Sequence, residues 1–155
     1  MNLCTERITT HPFFRNMKAE HLKILCECAS EAHFAADEIL FREGEPANRF
    51  YLIESGKVAL EAHQPANGTV PIDTFGAMDV LGWSWLFPPF VWHFRARALE
   101  PTTTIVLDGA HLLTVAERDP AFGYDLLKRV SHLVIRRLQA TRKQLFCRPV
   151  EAVPA

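Results

Sequence analysis

From Ile39 to Leu107 the chain is a series of short apolar runs cut by turn residues. That rhythm constrains the fold more than any other feature. Ile39–Phe41 makes one extended run, and residues 42–46 (REGEP) make a glycine-centred turn. Residues 50–53 (FYLI) form a strand, Ser55-Gly56 a tight turn, and Val58 and Leu60 follow it. Residues 63–69 (HQPANGT) place Asn-Gly between two extended segments, a strong hairpin signal. Val70, Ile72 and Phe75 alternate with polar neighbours, and residues 93–99 and 102–107 complete the series. Short strands at roughly 8–12-residue spacing indicate a sandwich, barrel or jelly roll rather than an α/β fold.

Helical periodicity flanks this β region. Residues 10–30 read as helical, with Thr10 as cap and Pro12 inside a first short turn. A second helix carries Met17, Leu22, Leu25, Cys26 and Ala29 on one face. Residues 109–146 return to helix: a short one around Leu112, Leu113, Val115 and Ala116, then a long one opened by Asp119-Pro120. At 1.5 Å rise per residue the long helix spans roughly 40 Å, more than a body of this size needs to cover itself. Leu127, Val130, Val134, Leu138, Thr141 and Leu145 alternate threes and fours along it, the spacing of a coiled-coil seam. Leu126 and Leu133 widen the stripe. The expectation is a homodimer through Leu127, Val130, Val134, Leu138 and Leu145; the alternative is a helix packed only on its own domain. Arg136, Arg137, Arg142 and Lys143 read as a solvated basic end, favourable near a helix C-terminus.

The 155 residues are one domain's worth, expected to span 1–155 as a single unit. The formal net charge of -1 supplies no global attraction to nucleic acid or to an anionic membrane. No apolar run approaches the ~20 residues of a membrane span, and the N-terminus lacks a signal-peptide core. Cys4, Cys26, Cys28 and Cys147 are too scattered for a disulfide framework or a compact zinc site. Idle thiols in a reducing cytoplasm are the expectation. The seven histidines show neither HExxH nor HxH, Ser84 has no histidine at a fixed spacing, and neither GxSxG nor GxxxxGK[ST] occurs. No enzyme and no metal site are expected.

The remaining feature is residues 75–98, FGAMDVLGWSWLFPPFVWHFRARA. The tract holds all three tryptophans, four phenylalanines, Pro88-Pro89, Arg95 and Arg97. Unpacked, it would expose several hundred Å² of apolar surface, so it must be buried or cover something.

The order of helices, strands, short helix and long helix resembles the cyclic-nucleotide-binding domain of the catabolite-activator (Crp/Fnr) type of regulator. HPFF at residues 11–14 is similar to its opening helical turn. ADEILFREGEPANRFYLIESGKVAL at 36–60 matches it most closely, with Gly44 and Gly56 at the turns. FGAMDVLGWSWLF at 75–87 is similar to the run into the phosphate-binding cassette, and FRARALEPTTTIVLD at 94–108 to the strands leaving it. The resemblance covers about residues 10–146. It implies a mostly β fold, a double-stranded β-helix (jelly roll) over about 32–108 with N-terminal helices and a long C-terminal helix.

In that family a glycine opens a short helix whose N–H groups face the cyclic phosphate. A glutamate after it accepts from the ribose, and an arginine about ten residues on pairs with the phosphate. Here Gly82 is followed by Trp83, which has one donor and no acceptor. The arginine position falls at Trp92 or His93. Arg95 and Arg97 lie nearby and share one strand face, inward or outward; the family's pattern implies outward for Arg97. The candidate ligand site is therefore Gly82, Trp83, Ser84, Trp85, Trp92, His93 and Arg95.

Three readings follow: a sensor of another small ligand, a cAMP or cGMP binder with shifted contacts, or a scaffold whose tract is filled or meets an unidentified partner protein. No other cofactor is implied. The chain ends shortly after Phe146, too soon for a helix-turn-helix, so no DNA binding by this chain alone is expected. Met1 and the untagged tail give the expectation of a complete, stand-alone cytoplasmic module.

Overall fold

The computed structural model describes residues 3–147. Eight strands form two four-stranded antiparallel sheets. The first has the order β1 (Ala29–Phe34), β8 (Thr102–Asp108), β3 (Arg49–Ser55), β6 (Val80–Leu81). The second has the order β2 (Ile39–Phe41), β7 (Arg95–Ala98), β4 (Val58–Gln64), β5 (Gly68–Phe75). They face one another as a jelly roll. Helices α1 (Leu3–Thr9) and α2 (Ala19–Glu27) precede them, and α3 (Gly109–Arg118) and α4 (Pro120–Cys147) follow.

The run FYLI explains the layering. It is continuously apolar because β3 is buried on both faces. Phe50 and Leu52 point to a core shared with the helices, beside Ile8, Leu25, Leu107, Leu112 and Leu126. Tyr51 and Ile53 point the other way, between the sheets, beside Phe41, Val58, Phe75, Ala96 and Val106. Register fixes this assignment: a slip of one residue would exchange the two faces. Gln64 pairs with Gly68 at the hairpin end, where Gly68 has φ +70 and closes a three-residue loop.

The N-terminal helices depart from the sequence reading. Thr10 is not a cap: its hydroxyl donates to the Glu6 carbonyl at 2.9 Å, within the last turn of α1. The cap of the 3₁₀ turn Pro12–Phe14 is His11, whose Nδ1 accepts from the Phe13 N–H at 3.3 Å. Ala29 is not on a helix face but opens β1, paired with Leu107. The ladder with β8 satisfies its backbone along an entire strand, which outweighs one more helical residue. Helix α1 lay outside the reading altogether. It is held by Ile8 in the core and by Arg7, which pairs with Glu54 and, at 2.7 Å, with Glu31.

The C-terminal helices follow the sequence closely. The Asp108 carboxylate accepts from the His111 N–H at 3.2 Å at the start of α3, and Asp119 from Phe122 likewise in α4. Phe122, Leu126 and Val130 of α4 are fully buried against the body. Val130 therefore packs inward and is removed from the expected dimer seam. Leu127, Val134, Leu138 and Leu145 are 44%, 39%, 69% and 66% exposed and form an apolar stripe along the free side. No helix among the described residues is long and apolar enough to cross a membrane. Nor do they contain a group of three or more His, Cys, Asp or Glu side chains that could hold a metal. Cys26 and Cys28 are unbridged, and burial pushes the Cys28 thiol up to about 11.

Candidate functional site

The aromatic tract divides across the first sheet. Trp85 sits in the 3₁₀ turn Ser84–Leu86 and turns toward the helices. It is 1% exposed and packs edge-on against Phe50 at 5.6 Å between ring centres. Its indole also lies on Gly109, where a Cβ would stand 2.6 Å from the ring. Trp85 is thus a core residue and is withdrawn from the ligand site. Its Nε1–H has no partner, a deficit tolerated for the area the ring buries.

Trp92 turns to the other side, between the sheets. It is 4% exposed and stacks on Phe41 with centroids 3.9 Å apart and planes 15° from parallel. Its backbone bridges the β2–β3 connection, with N–H donating to Glu45 at 3.0 Å and C=O accepting from Gly44 at 2.8 Å. Gly82 takes φ +87 directly beneath the ring. A Cβ there would meet Trp92 at 2.8 Å, so the conformation and the close approach both require glycine. The position expected to carry a phosphate-pairing arginine thus holds a buried ring that fills space.

What remains is a cavity of about 90 Å³. Gly82, Trp83, Ser84, Trp92 and His93 from the sequence-derived set line it, together with Phe41, Leu60, Phe75, Leu81, Phe94 and Arg137. The structure brings together five of the seven expected residues and excludes Trp85 and Arg95. The one-turn 3₁₀ helix after Trp83 presents only a short run of backbone donors, with no side-chain cap.

Arg95 points away from the cavity. Leu60 and Ala96 pair on the inner face of β4 and β7, so Glu61, Arg95 and Arg97 lie on the outer one. Arg95 donates to Glu61 Oε1 at 3.2 and 2.9 Å. Arg97 donates to both Glu61 oxygens at 3.2 Å and to Asp37 at 2.7 Å. Burial alone would raise the Glu61 carboxyl, but the hydrogen bonds from Arg97 and Arg95 outweigh it and hold the group below its usual range. The two arginines are committed to an ion-pair network on the outer surface.

The cation at the cavity comes from α4. The Arg137 guanidinium lies 3.6 Å from the Phe75 ring centre and 5.1 Å from that of Trp83. Its Nη1 donates to Asp73 at 3.2 Å, while Nε is shielded from solvent and has no partner. Burial pushes its pKa down to about 10, against the pull of Asp73 and Asp79. It remains charged at neutral pH. Arg137 is therefore not part of a solvated basic end, as the sequence reading had it. The overlooked signal is its spacing, seven after Val130 and four after Leu133, which places it on the inward stripe of α4.

Arg137 also lines a wider groove of about 580 Å³ between α4, the Pro12–Phe14 turn and the β5–β6 connection. Carboxylates and cations interleave there. Asp125 is bound to Arg129 at 2.9 Å, and Arg129 also donates to the Phe13 and Arg15 carbonyls. Neither charge sign dominates, so the groove reads as a ionic seam fastening α4 to the N-terminal turn.

Comparison with known proteins agrees with this architecture. The cyclic nucleotide-binding domain family matches residues 31–119, more than half of the chain. A CRP-like cAMP-activated global transcriptional regulator of Mycobacterium tuberculosis is 24% identical over 132 residues, covering 85% of this chain. The chain spans 57% of that relative's length. A protein described as cyclic nucleotide-binding from Geobacter metallireducens GS-15 superposes with a TM-score of 0.80 at 26% identity, over 89% of this chain and 99% of that one. A cyclic nucleotide-binding domain from Methylobacillus flagellatus KT gives a TM-score of 0.78 at 21% identity, over 97% and 85%. With the two-sheet jelly roll, the Gly82 turn and the long closing helix in place, the chain belongs to the cyclic nucleotide-binding domain family, a regulatory rather than catalytic class.

Proposed function

We propose that this chain is a non-enzymatic, cytoplasmic regulatory module, working as one unit, that senses a small ligand other than a cyclic nucleotide held in the usual way. One observation carries the reading: the cavity offers neither carboxylate nor sheet-borne cation where a ribose and a phosphate would need them. Trp83 follows Gly82, Trp92 fills the space, and Arg95 and Arg97 are committed to Glu61 on the outer face. The one cation lining the cavity among the described residues, Arg137, comes from α4 and is already paired with Asp73, so a phosphate among these aromatic walls would have to displace that carboxylate. A volume of about 90 Å³ also falls well below the ~300 Å³ at which drug-sized sites begin. Titration calorimetry and thermal shift with cAMP and cGMP are expected to give no saturable heat and no stabilisation. Micromolar binding of either would overturn the reading in favour of a cyclic-nucleotide binder with shifted contacts.

The output runs through α4, whose exposed stripe of Leu127, Val134, Leu138 and Leu145 would meet a second copy across a two-fold axis. This supports a homodimer with Arg137 linking the cavity to the interface helix. A second reading, a scaffold contacting a partner protein, draws on Phe87, Phe90 and Phe94, all more than a third exposed at the tip of the tract. Burial of Trp85 and Trp92 within the domain leaves that surface smaller than the sequence suggested.

A further inference from the structure

We propose that the inter-sheet cavity takes a small carboxylate with a compact apolar body, its carboxylate on Arg137 and its body against Leu60, Phe75, Trp83 and Trp92. The inference rests on the reading above that the site is not built for a cyclic nucleotide, and it names the ligand class instead.

Charge selects the anion. Arg137 is the only permanently charged side chain lining this cavity among the described residues. A guanidinium has five N–H donors, and the cavity-side group has one carboxylate partner, Asp73, at 3.2 Å. Its Nε–H is cut off from solvent and unpaired. The faces of Phe75 and Trp83 hold the guanidinium in place by cation–π attraction. The planar fork suits a carboxylate, which can accept two parallel hydrogen bonds. A phosphate dianion would bring a second negative charge with no second cation to meet it.

Shape selects the body. About 90 Å³ is smaller than the ~150 Å³ of an apolar cavity that admits benzene. A short branched chain fits, and an aromatic ring does not. The wall formed by Phe41, Leu60, Phe75 and Leu81 rejects hydroxyl groups directed at it, which would be left unpaired. Binding would exchange one carboxylate for another on Arg137. Asp73 lies on the edge strand β5 with its side chain 39% exposed, so it returns to water while the ligand takes the dry position.

The test follows tryptophan fluorescence and calorimetry of the full chain with isovalerate, against isovaleramide as the uncharged isostere and cAMP as control. Isovalerate should bind saturably, and isovaleramide at least tenfold more weakly. Arg137→Met should abolish the preference for acid over amide. Asp73→Asn removes the competitor and should tighten carboxylate binding several-fold, a gain that unfolding cannot mimic. Equal affinity for isovalerate and isovaleramide, an acid preference that survives Arg137→Met, or no gain from Asp73→Asn would each overturn the proposal. Absence of binding by isovalerate and by cAMP would overturn this inference alone. Saturable cAMP binding would overturn the underlying reading.

Discussion

Trp85 and Trp92 come from one tract, seven residues apart, and end on opposite faces of the first sheet. Trp85 joins a closed core shared by both N-terminal and both C-terminal helices. Trp92 joins the layer between the sheets, which is filled incompletely and keeps a cavity. Both are nearly fully buried, so burial alone does not distinguish structure from site. What differs is the neighbourhood. Trp85 lies on Phe50 and on the backbone of Gly109, where nothing could enter. Trp92 lies beside a positive-φ glycine, an empty volume and a desolvated cation. A site is recognisable by the polar groups that converge on a space, even where aromatic side chains line most of it.

The contrast breaks most visibly at Trp85. Trp85→Ala should cost about 3–5 kcal/mol of folding stability, read by denaturant unfolding, because the closed core cannot collapse onto the void. Trp92→Ala should cost less than Trp85→Ala, since Trp92 already borders empty space, and it should enlarge the cavity. Equal losses would mean the two layers are packed alike.

Gly82→Ala should cost about 1–3 kcal/mol through its positive φ and the clash with the Trp92 ring. In a double-mutant cycle with Trp92→Ala part of that loss should be recovered, leaving the backbone strain. Full additivity would sever the link between the glycine and the ring. Leu138→Glu should leave unfolding of the protomer within about 0.5 kcal/mol of wild type. It should shift the mass measured by light scattering from dimer to monomer. A wild-type monomer at all concentrations would remove α4 as an interface.

The smallest effect concerns the arginines on the outer face. The Glu61 carboxyl has its pKa depressed in the folded state, so its contribution is complete above the unfolded value of about 4.3 and fades as pH falls through the folded one. Stability of Glu61→Gln should therefore depend less steeply on pH than wild type on the acid side of pH 5. Parallel profiles would show that Glu61 does not anchor Arg95 and Arg97 on the outer face.

The sequence made the strand rhythm, the turns and both C-terminal helices readable, because period-two alternation and capping residues are local signals. It could not tell the two faces of FYLI apart: a strand buried on both sides has no polar residues to mark its parity. The same ambiguity hid the split between Trp85 and Trp92. Ala29 continues the helical spacing of Leu22, Leu25 and Cys26, whereas a ladder to β8 makes it the first residue of β1. The outward direction that the resemblance implied for Arg97, with Arg95 of the same parity, agrees with the structure; their pairing with Glu61, more than thirty residues earlier, had no local signal. Arg137 was obscured by its neighbours Arg136 and Arg142, although only its own position falls on the inward stripe of α4.

The placement of Arg137 has a mechanical corollary. Helix α4 is fixed to the body over its first three turns by Phe122, Leu126 and Val130, and touches the cavity only later, through this arginine. Beyond Arg137 it continues ten residues, an overhang of about 15 Å. A beam clamped at one end and pushed near its middle moves most at the free tip. With Val130 as the last fully buried anchor, a displacement of the guanidinium by about 1 Å would be magnified a little over twofold at Phe146. The far end of α4 is thus the place to attach a distance probe.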